Sequence, residues 1–196
     1  MLPSSAFTAN PSKRIFHGAI VSEEFGNNML NVEELNTNGL LRHNLPPPHA
    51  LLECETVLDI GAGIRPFNWY RPSRHLCVEP YPIYAYKLQQ AGYDVHVMTA
   101  EQALRVLRAD QILLLDVVEH MERGEAEIVI ALAKEAARQQ VIIYTPIGFM
   151  RQDSDTWELG GDYWQLHRSG WTPDDFPGWT IELRSKGFFA IWTREP

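Results

Sequence analysis

From Leu51 onward, short apolar runs recur at regular spacing, and each is bounded by glycine, proline or charged residues. Residues 57–60, 76–78, 95–98, 112–115 and 141–144 read as five strands, and the unbroken apolar run at 112–115 suits a strand buried on both faces. Between them the spacing turns helical. Tyr84, Leu88 and Ala91 form the inner stripe of a helix that Pro82 opens and Gly92 stops. Residues 101–108 make a short helix with Ala103, Leu104 and Leu107 inside. Residues 124–140 make a longer one, with Ala126, Val129, Ile130, Ala133 and Ala137 inward and Glu127, Lys134 and Arg138 toward water. The chain closes on a hairpin: residues 179–183, a Lys186-Gly187 turn, then 188–192.

Strands alternating with helices build a parallel sheet, and a late hairpin adds an antiparallel ending. The expected fold is α/β: a Rossmann-like, doubly wound, seven-stranded and mostly parallel sheet with an antiparallel C-terminal hairpin and helices on both faces. Residues 1–50 differ. They are rich in Ser, Asn, Pro and Gly, lack periodicity and end in Pro46-Pro47-Pro48. They read as an N-terminal arm or lid, with a short helix expected around 32–41, and residues 51–196 read as the ligand-binding domain. Only residues 64–75 separate Gly63 from the second strand, and Pro66 and Pro72 lie among them. The first crossover helix is therefore short or irregular, with one turn at 66–70 at most.

The chemistry concentrates at residues 56–63, Thr-Val-Leu-Asp-Ile-Gly-Ala-Gly. This is a buried strand entering a glycine turn, with Asp59 near its end. A second acid, Glu79, follows 20 residues later at the end of the next apolar run. Glycines admit a ligand close to the backbone, and an acid at the second strand's end can accept from both ribose hydroxyls. Glu79 also suits the start of the helix that Pro82 opens. A nicotinamide dinucleotide would call for a third glycine at position 66, where Pro66 stands.

A formal charge of −8 argues against a dominant nucleic-acid or anionic-membrane surface. No apolar run reaches the length of a spanning helix, and residues 1–10 lack the pattern of a signal peptide. Cys54 and Cys77 fall in or near core strands and read as buried thiols. No metal-ligand spacing appears, so no metal is expected. These features predict a cytoplasmic protein without a nucleic-acid or membrane partner; a monomer or homodimer is expected.

Three segments in order resemble the class I S-adenosylmethionine-dependent methyltransferases of small-molecule type. Asp59-Ile60-Gly61-Ala62-Gly63 is similar to the family's first motif. Asp116-Val117-Val118-Glu119-His120 is similar to its Asp-x-x-Glu-His segment, and Tyr144-Thr145-Pro146 to the close of its fifth strand. A weaker likeness runs through His167, Trp171, Thr172, Pro173 and Phe176. The resemblance implies methyl transfer from S-adenosylmethionine, leaving S-adenosylhomocysteine, to a metabolite, sugar or natural product.

Carried onto matching positions, it implies that Gly61, Ala62, Gly63 and Arg65 meet the amino-acid part of the cofactor, and that Asp59 orients that loop or reaches the cofactor's ammonium through water. Glu79 and Pro80 would meet the ribose side, Thr99, Ala100 and Glu101 the adenine, and Asp116 and Val117 the methionine end. His120 and His167 would be the candidate bases. His120 also reads as a helix-start histidine held by backbone, and His167 as a loop histidine. Of the late aromatic residues, Tyr163 or Trp164 could line the acceptor site. Arg65-Pro66 and Thr99 depart from the family pattern, which leaves a non-catalytic, methyltransferase-like binding or regulatory protein as the alternative. The Asn/Asp-Pro-Pro-Tyr/Phe segment of base-amino methylases is absent.

Overall fold

A computed structural model describes residues 45–195. The helix expected at 32–41 and most of the arm lie outside the described residues. The elements run β1 (Thr56–Ile60), β2 (Arg74–Val78), α1 (Pro82–Gln90), β3 (Asp94–His96), α2 (Ala100–Val106), β4 (Ala109–Leu115), α3 (Arg123–Ala136), β5 (Ala137–Pro146), α4 (Asp162–Gln165), β6 (Thr180–Leu183) and β7 (Gly187–Thr193). They form one sheet in the order β3-β2-β1-β4-β5-β7-β6. The first five strands are mutually parallel, and β7 runs antiparallel between β5 and β6. This is the expected mixed sheet. The strand order reverses beside β1, so the carboxyl ends of β1 and β4 flank the crevice where ligands of such sheets bind.

Alternation along the strands sends side chains to two cores. Leu58, Ile60, Leu76, Val78, Ile112 and Leu114 pack against α2 and α3. On the other face, α1 brings Tyr84 and Leu88 onto Cys77 and Ile64. Farther along that face, Phe67, Trp69 and Tyr70 cover Val57, Leu113, Ile142 and Phe189. The crossover 64–73 is irregular, without a helical turn at 66–70. Its backbone and rings have other partners. The Phe67 N–H donates to Asp59 Oδ2 (2.9 Å), Trp69 Nε1 to the Leu45 carbonyl (2.7 Å), and the Tyr70 hydroxyl to Gln111 Oε1 (2.9 Å).

One departure is at 137–140. The pattern predicts helix to Gln140, but α3 stops at Ala136 and β5 begins with Ala137. Ala137 pairs with Ala109 and Gln140 with Gln111. Gln140 is fully buried because its amide is satisfied: Nε2 donates to the Ala50 carbonyl, and Oε1 accepts from the Leu52 N–H and Gln111 Nε2. Both cysteines are buried and free. No helix among the described residues is long and apolar enough to cross a membrane.

Candidate active site

One cavity of about 420 Å³ opens at the carboxyl ends of β1, β2, β4 and β5. Its floor is the turn after β1. The N–H groups of Gly61 and Ala62 donate to the Val78 carbonyl, which ties the turn to the end of β2. Gly61 and Gly63 take φ of +65° and +57°, a region that glycine enters without steric cost. Gly61 has a second reason to be glycine, since a Cβ there would sit 2.8 Å from Val117 Cγ2.

Glu79 lies beneath this turn, 3% exposed. Its Oε2 accepts from the Gly63 N–H (2.8 Å) and its Oε1 from the Tyr81 N–H (2.9 Å). Each oxygen keeps a lone pair for a further donor. Burial pushes the Glu79 carboxyl up to about 7, against the opposing pull of these two backbone bonds. Asp59, also buried, serves structure: Oδ2 accepts from the Phe67 N–H and meets His75 Nε2 at 3.1 Å. Arg65 lines the cavity near Asp116, and its Nε is buried without an acceptor.

The wall opposite is the segment after β4. Asp116 has φ of +55°, uncommon for a residue with a side chain, and its N–H donates to the Tyr144 carbonyl. A short 3₁₀ turn, Val118–His120, follows. Glu119 is 2% exposed and takes a hydrogen bond from Thr145 Oγ1 on Oε2 (3.2 Å). Its backbone carbonyl accepts from the Arg168 and Ser169 N–H groups. Ser169 Oγ donates to the Val118 carbonyl and accepts from Trp171 Nε1 (2.9 Å). This latch explains the His167-to-Trp171 pattern: it fastens the segment after β5 to the segment after β4. The His120 and His167 rings thereby meet with centroids 4.8 Å apart.

His120 Nδ1 faces the Leu166 carbonyl, so the backbone does hold this histidine. Burial, with His167 as the second cause, pushes His120 down to about 4, and burial also lowers His167. Both are neutral imidazoles near pH 7, and His120 is a weaker base than a free histidine.

Eleven of the fourteen candidate residues line the cavity: Asp59, Gly61, Ala62, Arg65, Glu79, Pro80, Ala100, Asp116, Val117, His120 and His167. Gly63, Thr99 and Glu101 do not. Gly63 is covered by the Trp157 ring, which a Cβ there would strike. Thr99 is the N-cap of α2, bonded reciprocally with Gln102. Glu101 pairs with Arg105 on the helix surface (2.6 Å). Trp164 lines the cavity, whereas Tyr163 is 67% exposed and lies under Arg168.

Sequence reasoning missed Tyr84, Trp157 and Gln165. Tyr84 and Trp157 stack edge to face at 4.9 Å, and Gln165 Nε2 donates to the Tyr84 hydroxyl (3.1 Å). Trp157 is held by a loop that Asp155 organises, its carboxylate accepting from the N–H groups of Trp157, Leu159 and Gly161. The Asp155-x-Trp157 spacing of such a loop was the available signal.

No protein-family model matches the chain, and no curated protein matches it. Solved structures do. Magnesium protoporphyrin IX methyltransferase from Synechocystis PCC 6803, with bound S-adenosylhomocysteine, superposes with a TM-score of 0.53 at 14% identity, over 71% of this chain and 74% of its own. A SAM-dependent methyltransferase from Archaeoglobus fulgidus gives 0.51 at 14% identity, over 72% and 86%. An O-methyltransferase family protein from Burkholderia thailandensis gives 0.48 at 15% identity over 72% of this chain, which spans 51% of that protein's length. The likeness is one of fold: the chain has the mixed seven-stranded architecture of class I methyltransferases.

Proposed function

We propose that the protein binds S-adenosylmethionine and transfers its methyl group to a small-molecule acceptor. One observation carries this reading. A glycine turn at left-handed φ and a buried acid at the end of the neighbouring strand share one cavity at the switch point of the sheet.

The residues fit the ligand group by group. Glu79 has a free lone pair on each oxygen for a ribose diol. The unpaired, buried Nε of Arg65 suits a carboxylate. Asp116, on the cavity wall, suits an ammonium. Ala100 and Pro80 offer flat apolar surface for a base. When bound, S-adenosylmethionine supplies a methyl group already activated on a sulfonium. The chain's part is then mostly positional. His120, His167, Gln152 and Trp164 bound the side of the cavity left for an acceptor. Either neutral imidazole can take a hydroxyl proton through its lone pair, and His167, the less buried of the two, is the better placed base.

Calorimetric titration with S-adenosylhomocysteine tests the binding half. Saturable binding that Glu79→Ala abolishes or weakens at least tenfold supports it. A folded wild-type protein that takes up nothing at millimolar ligand sinks it. The irregular segment after Gly63 and the use of Thr99 as the cap of α2 favour one further reading, binding without turnover, and an acceptor screen separates the two.

A further inference from the structure

We propose that Glu119, His120 and His167 form a divalent-cation site at the acceptor end of the cavity. One ligand atom from each lies within 4.8 Å of the others. Coordination at roughly 2.0–2.2 Å would bring neighbouring ligand atoms to about 3–3.5 Å, a closure of at most about 1.3–1.8 Å that His167, on a loop, can supply.

Three features prepare these atoms as ligands. His120 Nδ1 faces the Leu166 carbonyl and His167 Nδ1 the Met150 carbonyl. A carbonyl fixes the proton on Nδ1, so the lone pair belongs to Nε2 in both rings, the arrangement that backbone carbonyls impose on metal-bound histidines. Glu119 Oε1 is buried and has no hydrogen-bond partner, while Oε2 takes the Thr145 hydroxyl. A buried carboxylate oxygen without a partner is costly, and a cation is what would satisfy it. The third feature is position: Glu119 and His120 are adjacent on the 3₁₀ turn Val118–His120, and the His167 ring is held against that of His120.

The neighbouring cations do not satisfy Glu119 Oε1. Arg168 spends its guanidinium on the carbonyls of His120, Leu166 and Tyr163. Arg65 lies near Asp116 but forms no ion pair with Glu119. A second cluster, Asp59, His75 and Cys77, makes a useful contrast. There Asp59 Oδ2 already takes the Phe67 N–H and His75, and the Cys77 thiol is fully buried, so no ligand atom waits for a partner.

Two imidazoles with one carboxylate suit borderline divalent ions such as Zn²⁺, Co²⁺ or Mn²⁺ better than Ca²⁺. The site stands on its residues alone. Its use rests on the methyl-transfer reading: with a cation bound, both Nε2 lone pairs would be ligands rather than bases, and an acceptor hydroxyl on the cation would release its proton to solvent.

The test is titration of the chelator-treated full chain with Co²⁺, read by visible absorption, with competition by Zn²⁺. Expected are saturation at one equivalent, displacement by Zn²⁺, and at least tenfold weaker binding in Glu119→Gln and in His167→Ala. His49→Ala, remote from the cavity, should bind like the wild type. His167 sits on a loop, so its truncation leaves the fold intact, and a thermal melt verifies that. Binding that both variants retain unchanged, or that never saturates, makes the ion adventitious only and overturns the site. S-adenosylhomocysteine titration on the same samples keeps the two ideas apart: loss of that binding alone refutes the methyl-transfer reading and leaves the cation site standing.

Discussion

Glu79 gathers most of the chemistry at the residue scale, and its protonation gives a signed prediction. Its carboxyl sits at about 7 in the folded chain against an ordinary 4.5. Between those values the folded state holds a proton that the unfolded state has released, so stability falls as pH rises from 4.5 to 7, by something on the order of 3 kcal/mol. Thermal melts across that range should show this slope, and Glu79→Gln should flatten it while costing about 1 kcal/mol, because an amide cannot accept from both the Gly63 and Tyr81 N–H groups. Ligand binding has the opposite sign. Ribose hydroxyls donating to Glu79 favour its ionised form, so affinity for S-adenosylhomocysteine should weaken roughly tenfold or more from pH 8 to pH 5.5. A pH-independent affinity would refute that contact. Gly63→Ala meets two obstacles at once, left-handed φ and the Trp157 ring. It should lower stability by about 1–2 kcal/mol, read by denaturant unfolding. The role of Glu79 was legible in the sequence because strand end, acid and glycine turn lie within one short stretch. The meeting of Glu119 and His120 with His167 was not. His167 stands 48 and 47 positions away from those two, and the contacts of Arg168 and Ser169 with Glu119 and Val118 bring it to them.

Among the elements, the strands and the helices α1 and α2 follow from periodicity, since their buried stripes are apolar. The exceptions share a physical cause. Ala137–Gln140 joins β5, and not α3, because two glutamine side chains find backbone and amide partners inside the protein. Residues 64–73 stay irregular because Asp59 captures a backbone N–H and the aromatic rings cover the sheet without a helix. Periodicity counts apolar positions and is blind to satisfied polar ones. The latch between the segments after β4 and β5 depends on Ser169, whose hydroxyl serves both the Val118 carbonyl and Trp171 Nε1. Ser169→Ala leaves a buried indole N–H unpaired and should cost about 1–3 kcal/mol. Its second expected effect, weaker Co²⁺ binding through a loosened His167, separates the latch from simple packing.

At the scale of the whole molecule, the described residues, 45–195, form a seven-stranded sheet packed on both faces. The segment from Leu45 is anchored: the His49 and Ala50 N–H groups donate to Glu182, and the Leu45 carbonyl accepts from Trp69. A chain lacking residues 1–44 should therefore keep its circular-dichroism spectrum and cooperative melt, and lose acceptor affinity if the arm is a lid. Loss of the cooperative melt would show that the arm is part of the fold. The central claim is that the crevice between β1 and β4 is a S-adenosylmethionine site closed below by Glu79. Its most direct test is calorimetry with S-adenosylhomocysteine on the wild type and on Glu79→Ala, both verified as folded. One site per chain, weakened at least tenfold in the variant, is the predicted result. No binding by the wild type, or equal binding by the two proteins, would contradict it.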